Sequence, residues 1–165
     1  MAMTLVETVT VGSGGAASIQ FSNIPQTGKD LYCQMSVRST GSGTLGDFLQ
    51  MRFNGDTTNS NYFSRVLRGN GSSADSWNST GLYPGDANAS GQVADAFASN
   101  AFYVTNYTSS VLKIMSADSV TENNTGNARQ QLVAGSWNGT AAITSITLFS
   151  TSFVQHTTVS LYIIS

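Results

Sequence analysis

Apolar residues recur at every second position along this chain, most clearly from Asp30 to Ser39. There Leu31, Cys33, Met35 and Val37 fall on one side, and Tyr32, Gln34, Ser36 and Arg38 on the other. A period of two is the mark of a β-strand with one buried face. The pattern returns over Thr4–Val11, with Leu5, Val9 and Val11 inward, and over Ala17–Asn23, with Ile19 and Phe21 inward. It continues over Asp47–Phe53 (Leu49, Met51, Phe53) and, less tidily, over Asn61–Arg68. After a long gap it resumes at Ala101–Tyr107, Val111–Ala117, Arg129–Trp137, Ile143–Phe149 and Thr157–Ile164, where Val159, Leu161 and Ile163 share a face. Between these runs lie Gly12-Ser13-Gly14-Gly15, Pro25 and Asn54-Gly55-Asp56, residues that turn the chain or cannot extend a ladder. The pattern predicts an all-β fold: one jelly-roll-like antiparallel β-sandwich domain over residues 1–165, of about ten strands with one long loop.

That loop is Gly69–Asn100, rich in Gly, Ser, Asn, Ala and Asp. Its apolar anchors are Trp77, Leu82, Tyr83, Val93 and Phe97, and a short helix is predicted around Gln92–Ala98. A connection this long in a compact domain is usually functional or disordered. Large aromatics on a polar loop call for a partner, so Trp77, Leu82 and Tyr83 are predicted partner contacts, by protein first and by stacked sugar second. Arg38 and Arg52 join them, on the outward parity of neighbouring predicted strands beside Tyr32 and Phe48.

Composition narrows the function more by exclusion. Charged residues make up 10% of the chain, against roughly 25% in an average soluble domain, and the net charge is −2. No basic field is present to hold nucleic acid. A polar, weakly charged surface packs against neighbouring protein without stripping water from many ions. No apolar stretch approaches the roughly 20 residues of a membrane helix, and the Met1-Ala2-Met3 start lacks a secretory leader pattern. Synthesis in a cytoplasm, with export, if any, by lysis or assembly, is the expectation. The one cysteine, Cys33, forms no intrachain disulfide and reads as a small core hydrophobe.

Candidate chemistry is sparse. His156, the one histidine, precedes the last strand, and no G-x-S-x-G elbow accompanies it. One Cys and one His do not make a zinc site. Asn54, Asp56 and Asn59, and again Asp118, Glu122, Asn123 and Asn124, group oxygen donors of the calcium-binding kind, but turn chemistry explains both groups and no EF-hand spacing occurs. Glu7 falls on the inward parity of the first strand, predicting either an open sheet edge or an arginine partner. The Asn70, Asn78, Asn106 and Asn138 sequons arise by chance in so Asn/Ser/Thr-rich a chain. The expectation is no enzyme, no cofactor and no metal.

The run Thr10-Val-Gly-Ser-Gly-Gly-Ala-Ala-Ser-Ile-Gln-Phe-Ser-Asn-Ile-Pro25, then Asp30-Leu31, Arg52-Phe-Asn-Gly-Asp56 and Asn61-Tyr62, resembles a family of small structural proteins of tailed phages. Val133-Ala-Gly-Ser-Trp-Asn138, Ala142-Ile-Thr-Ser-Ile-Thr-Leu148, Phe153-Val-Gln155 and Leu161-Tyr162-Ile163 carry the same resemblance, which omits Gly69–Asn100. It implies a jelly-roll-like virion component, with Gly55 in a turn and Phe53, Trp137, Ile146 and Leu148 in the core. The expected role is a capsid decoration (cement) protein bound over joints of the major capsid protein shell, with trimer the favoured oligomer. The N-terminal strand or the Gly69–Asn100 loop is expected to touch the shell. The alternative is a receptor- or carbohydrate-binding module on a tail or fibre.

Overall fold

A computed structural model describes residues 2–43, 46–122 and 128–165. Among the described residues the chain forms thirteen strands. They are β1 (Met3–Thr10), β2 (Ala16–Phe21), β3 (Asp30–Val37), β4 (Asp47–Phe48), β5 (Gln50–Phe53), β6 (Tyr62–Gly69) and β7 (Ala74–Ser79), followed by β8 (Asp86–Ala87), β9 (Ala98–Val104), β10 (Lys113–Thr121), β11 (Arg129–Trp137), β12 (Ile146–Phe153) and β13 (Thr158–Ile164). One eight-stranded sheet runs β1-β13-β3-β9-β10-β11-β6-β7. A three-stranded sheet, β2-β12-β5, and a β4-β8 pair make the opposing layer. Strand neighbours within these sheets pair antiparallel. The fold is an all-β, jelly-roll-like sandwich. No helix among the described residues is long and apolar enough to cross a membrane.

The period of two explains the layers. β10 alternates buried and exposed without a break, with Lys113, Met115, Ala117, Ser119 and Thr121 inward. From the large sheet Leu31, Cys33, Met35, Val37, Phe102, Val133 and Leu161 meet Ile19, Phe21, Met51, Phe53, Ile146 and Leu148 in one contiguous core. Burial pushes the Cys33 thiol far above its ordinary range, fitting its reading as a hydrophobe. Asn54 and Gly55 both take positive φ, 53° and 67°, and the Asp56 amide closes the turn onto the Phe53 carbonyl at 2.9 Å.

Three expectations are corrected. The Gly69–Asn100 segment is no structureless loop: Ala74–Ser79 returns along β6 as the edge strand β7, and residues 82–89 are buried. Its alternation was invisible because an edge strand needs only one inward anchor, here Trp77 opposite Val66. The Gln92–Ala98 helix does not form; the stretch is turns, with Asp95 at φ 60°, running into β9. Leu5 points outward and is 52% exposed, because a bulge between Leu5 and Glu7 switches the parity of β1 and turns Val6 toward the core. Beyond the bulge Val9 and Val11 face inward as expected, while Glu7 lies exposed on the edge strand.

Candidate binding site

Trp77 reaches across the rim from β7 and meets Phe48 of β4 and Tyr83, which follows β7 and Leu82. Ring centroids lie 5.0 Å apart for Trp77–Tyr83, 5.7 Å for Phe48–Trp77 and 5.6 Å for Phe48–Tyr83, tilted or edge to face. Such pairs add about 0.5–1.5 kcal/mol each beyond burial. With Leu82, Gln50, Ser79 and Gly81 these rings line a cavity of about 140 Å³. Three of the five predicted contact residues, Trp77, Leu82 and Tyr83, are thus gathered at one place. Leu82 and Tyr83 form its buried wall, at 1% and 3% exposure, rather than a free loop surface. Of its aromatic rings, half-buried Trp77 and 55% exposed Phe48 present themselves outward, as does Gln50.

The two arginines are not part of this site. Arg52 faces outward on β5 as expected, over the Phe149 ring at 5.0 Å. Arg38 does not: it is 9% exposed, and its guanidinium donates to the carbonyls of Val93 and Ala96, each at 2.8 Å. β3 ends at Val37, and Arg38 bends away to bridge Asn88, so strand parity no longer applies to it. Arg38 follows β3 of the eight-stranded sheet and Arg52 lies on β5 of the three-stranded one, so the two are not on neighbouring strands.

Behind Tyr83 lies a polar cluster that periodicity could not reveal. Asp86, 1% exposed, has Oδ1 2.5 Å from the Tyr83 hydroxyl and Oδ2 2.5 Å from Gln131 Nε2. The Tyr83 hydroxyl in turn lies 2.7 Å from Gln131 Oε1. The Tyr83 hydroxyl is the donor toward both Asp86 Oδ1 and Gln131 Oε1, and Gln131 Nε2 donates to Asp86 Oδ2, which closes the ring. Burial, the largest effect, raises the Asp86 pKa against the lowering effects of Tyr83, Gln131, Arg129 and Arg68. Arg129, from β11, stands 3.5 Å from Oδ2, long for a charge-assisted hydrogen bond, while Arg68 of β6 is held by Asp75 of β7. Asn100 Nδ2 donates to the Asp86 carbonyl at 2.8 Å, and the Asp86 amide donates to Ser119 Oγ at 3.0 Å.

A raised folded-state pKa means the native form binds the extra proton, so this group's stability contribution falls as pH rises above its unfolded value of about 3.9. Asp86→Asn keeps a donor and an acceptor in the ring. It should match the wild type near pH 4 and exceed it near pH 8, flattening the slope between; urea denaturation across that range checks it. A variant destabilised by about 2 kcal/mol or more at pH 7 would show instead an ionised carboxylate paired with Arg129.

The second gathering of side chains is the outer face of the eight-stranded sheet. Register places Leu5, Tyr162, Tyr32, Tyr103, Ser116, Ala134 and Arg65 in one row across β1, β13, β3, β9, β10, β11 and β6. The next row carries Ala101, Asp118, Leu132 and Leu67. Leu67 and Leu132 are each 54% exposed, Ile114 56% and Phe63 38%. Small residues floor two hollows, of about 440 and 210 Å³, between the tyrosines and these leucines.

Asp56 and Asn54, among the remaining candidates, have structural partners. Asp56 accepts from Trp137 Nε1 and Asn61 Nδ2, each at 2.8 Å, and from the Thr58 amide. Asn54 Oδ1 accepts from the Thr144 amide at 2.8 Å, and Asn59 starts a short 3-10 turn. Asp118 is exposed on the outer face; Asn123 and Asn124 lie outside the described residues. Exposed His156 turns the chain into β13 at φ 70°, its amide donating to the Val11 carbonyl. Among the described residues no three His, Cys, Asp or Glu side chains are grouped to hold a metal. Lys113 escaped the sequence reading altogether: it is 1% exposed, its ammonium capped by the carbonyls of Ser109 (2.6 Å) and Val111 (2.7 Å).

No protein family matches the chain, and no curated protein does. Among solved structures, the fructofuranosidase from Schwanniomyces occidentalis complexed with fructose aligns at 8% identity and a TM-score of 0.25. The alignment covers 97% of this chain and 34% of that one, so the chain spans about a third of that enzyme's length. At that TM-score the likeness carries no argument about fold or function.

Proposed function

We propose that this chain is a phage capsid decoration protein that binds the outer surface of the major capsid protein shell, as a trimer, and stabilises it. The observation that supports the reading is the outer face of the eight-stranded sheet. Leu67, Leu132, Ile114 and Phe63 stand exposed there beside a tyrosine row, and Arg65 and Asp118 are the charged residues within those two rows. Exposed apolar patches rimmed by polar residues mark protein contact sites. Many copies of a modest contact, each favouring the assembled shell, raise its stability by mass action. Edge strand β1 extends the face, with Met3 and Leu5 exposed. Residues 82–89, buried in the sandwich, serve the fold rather than the shell.

The test is co-sedimentation of the purified chain with capsid shells stripped of it. Leu132→Lys sets a lysine directly across from Asp118, an opposite-charge pair the sheet tolerates. Combined with Leu67→Ser, it should lower shell affinity about a hundredfold while the urea midpoint stays near the wild-type value. Unchanged occupancy of the shell by the double variant would refute the assignment. The second reading, a receptor- or carbohydrate-binding module on a tail or fibre, differs in copy number: hundreds per particle indicate the shell, a few dozen or fewer the tail. The aromatic cavity at Trp77 favours some sugar-binding capacity under either reading.

A further inference from the structure

We infer that the cavity between β7 and the β4–β5 strands is a binding site for one neutral pyranose ring. Size comes first. The hollow is small, about 140 Å³, and partly open, so it takes one face of a single ring whose hydroxyl rim stays outside. The wall is next. Phe48, Trp77 and Tyr83 pack on one another at 5.0–5.7 Å with planes 58–71° apart, so they make a faceted wall packed on itself rather than a cage around a central cation, with half-buried Trp77 and exposed Phe48 its accessible rings. No ionisable side chain other than Tyr83 lines the cavity, and the Tyr83 hydroxyl is turned inward to Asp86 and Gln131. The ion pairs Arg68–Asp75 and Arg129–Asp86 lie outside the cavity lining, and each couples opposite charges. The surroundings therefore suit an uncharged ligand.

Polar groups at the cavity separate a sugar from an apolar side chain of a partner protein. The Gln50 amide and the Trp77 indole N–H make no hydrogen bond within the described chain. Ser79 Oγ accepts from the Gly81 amide at 3.2 Å and keeps its own proton to donate. Two unspent donors, an amide oxygen and a hydroxyl around an aromatic wall match a ring with one C–H face and a rim of hydroxyls. The Asp86 ring behind Tyr83 fixes the back wall, so little ordering is left for binding. The site lies at the β7 edge, on the inner-layer side, and stays open if the outer face of the large sheet is covered.

The experiment is saturation-transfer NMR and titration of the full chain with a panel of methyl pyranosides: glucose, galactose, mannose, N-acetylglucosamine and fucose. At least one should bind with a saturating, millimolar isotherm. Trp77→Ala should weaken it at least about tenfold, Gln50→Ala several-fold, and the outer-face pair Leu132→Lys/Leu67→Ser not at all. A panel with no saturating member overturns the assignment, as does affinity that survives Trp77→Ala. So does a Trp77→Ala variant that loses shell binding while the wild type takes no sugar, which would make the cavity a protein contact. Because the outer-face variant leaves this site intact, its failure to bind shells and a failure to bind sugars are separately readable.

Discussion

Gly85→Ala is expected to lose about 3–5 kcal/mol of folding stability, a large part of the 5–15 kcal/mol that holds a domain together. Gly85 sits at φ 129°, a conformation that side chains rarely adopt. A Cβ there would stand 2.4 Å from Ser119 Cβ and 2.6 Å from Ser119 Oγ. Neither neighbour has room to retreat. Ser119 Oγ accepts the Asp86 amide, and the Gly85 carbonyl accepts the Leu49 amide at 3.0 Å, so a shift would break the link between β4 and β8. Gly55→Ala is the control, since Gly55 has a positive φ of 67° but nothing within 4 Å of its would-be Cβ. It should cost about 1 kcal/mol, from conformation alone. Urea unfolding of the two variants tests the difference; equal losses would mean that crowding against Ser119 contributes nothing. The pyranoside titration of Gly85→Ala should fall with the wall that Tyr83 forms.

The strands that were legible in the sequence are those whose inward positions are apolar throughout, such as β3 and β13. The core places of Trp137, Ile146 and Leu148 came from the family resemblance rather than from parity, and all three are buried. Legibility failed where buried positions are polar. Asp86 in β8, Asn88 beside it and Asn100 in β9 lie fully buried, with Asn100 Nδ2 donating to the Asp86 carbonyl and the Asn88 amide to the Val37 carbonyl, and no hydropathy pattern distinguishes them from loop residues. It failed also where one extra residue intervenes, as at the β1 bulge, which reverses Leu5 without changing composition. Boundaries drifted for a third reason. β9 begins at Ala98, three residues before the predicted strand, since its Ala98–Asn100 start pairs with Val37–Met35 through backbone groups that small side chains leave free. The aromatic site was half readable: Trp77, Leu82 and Tyr83 were identified by type, but Phe48 and Gln50 join them only because β4 and β5 fold under β7. The Asp86 ring needs Gln131, 45 residues away, and no local signal links the two.

Trp137→Ala should be the most damaging single truncation at the other end of the sandwich, at about 3–5 kcal/mol. Trp137 is 4% exposed, stacked on Tyr62 at 6.4 Å and edge-on to Phe53 at 5.6 Å. Gly139 leaves space for it, since a Cβ at that position would meet the indole at 2.1 Å. Its N–H is also the first cause holding the Asp56 carboxyl well below the ordinary range, followed by Asn61 and Thr58. A lowered carboxyl pKa contributes stability above the unfolded value of about 3.9 that is lost as pH falls toward the folded one. Trp137→Phe retains most of the ring packing and removes that N–H. It should therefore cost about 1–2 kcal/mol at pH 6. The difference from wild type should narrow only as the pH falls past the folded carboxyl pKa of the variant toward the lower one of the wild type, where the wild type also loses the bond to a charged Asp56. Denaturation curves for both proteins at about pH 6, about pH 3 and about pH 1.5 measure that closing gap, most of which falls in the last interval. A gap of constant width would mean that Trp137 acts through volume alone and that Asp56 owes its acidity to Asn61 and Thr58.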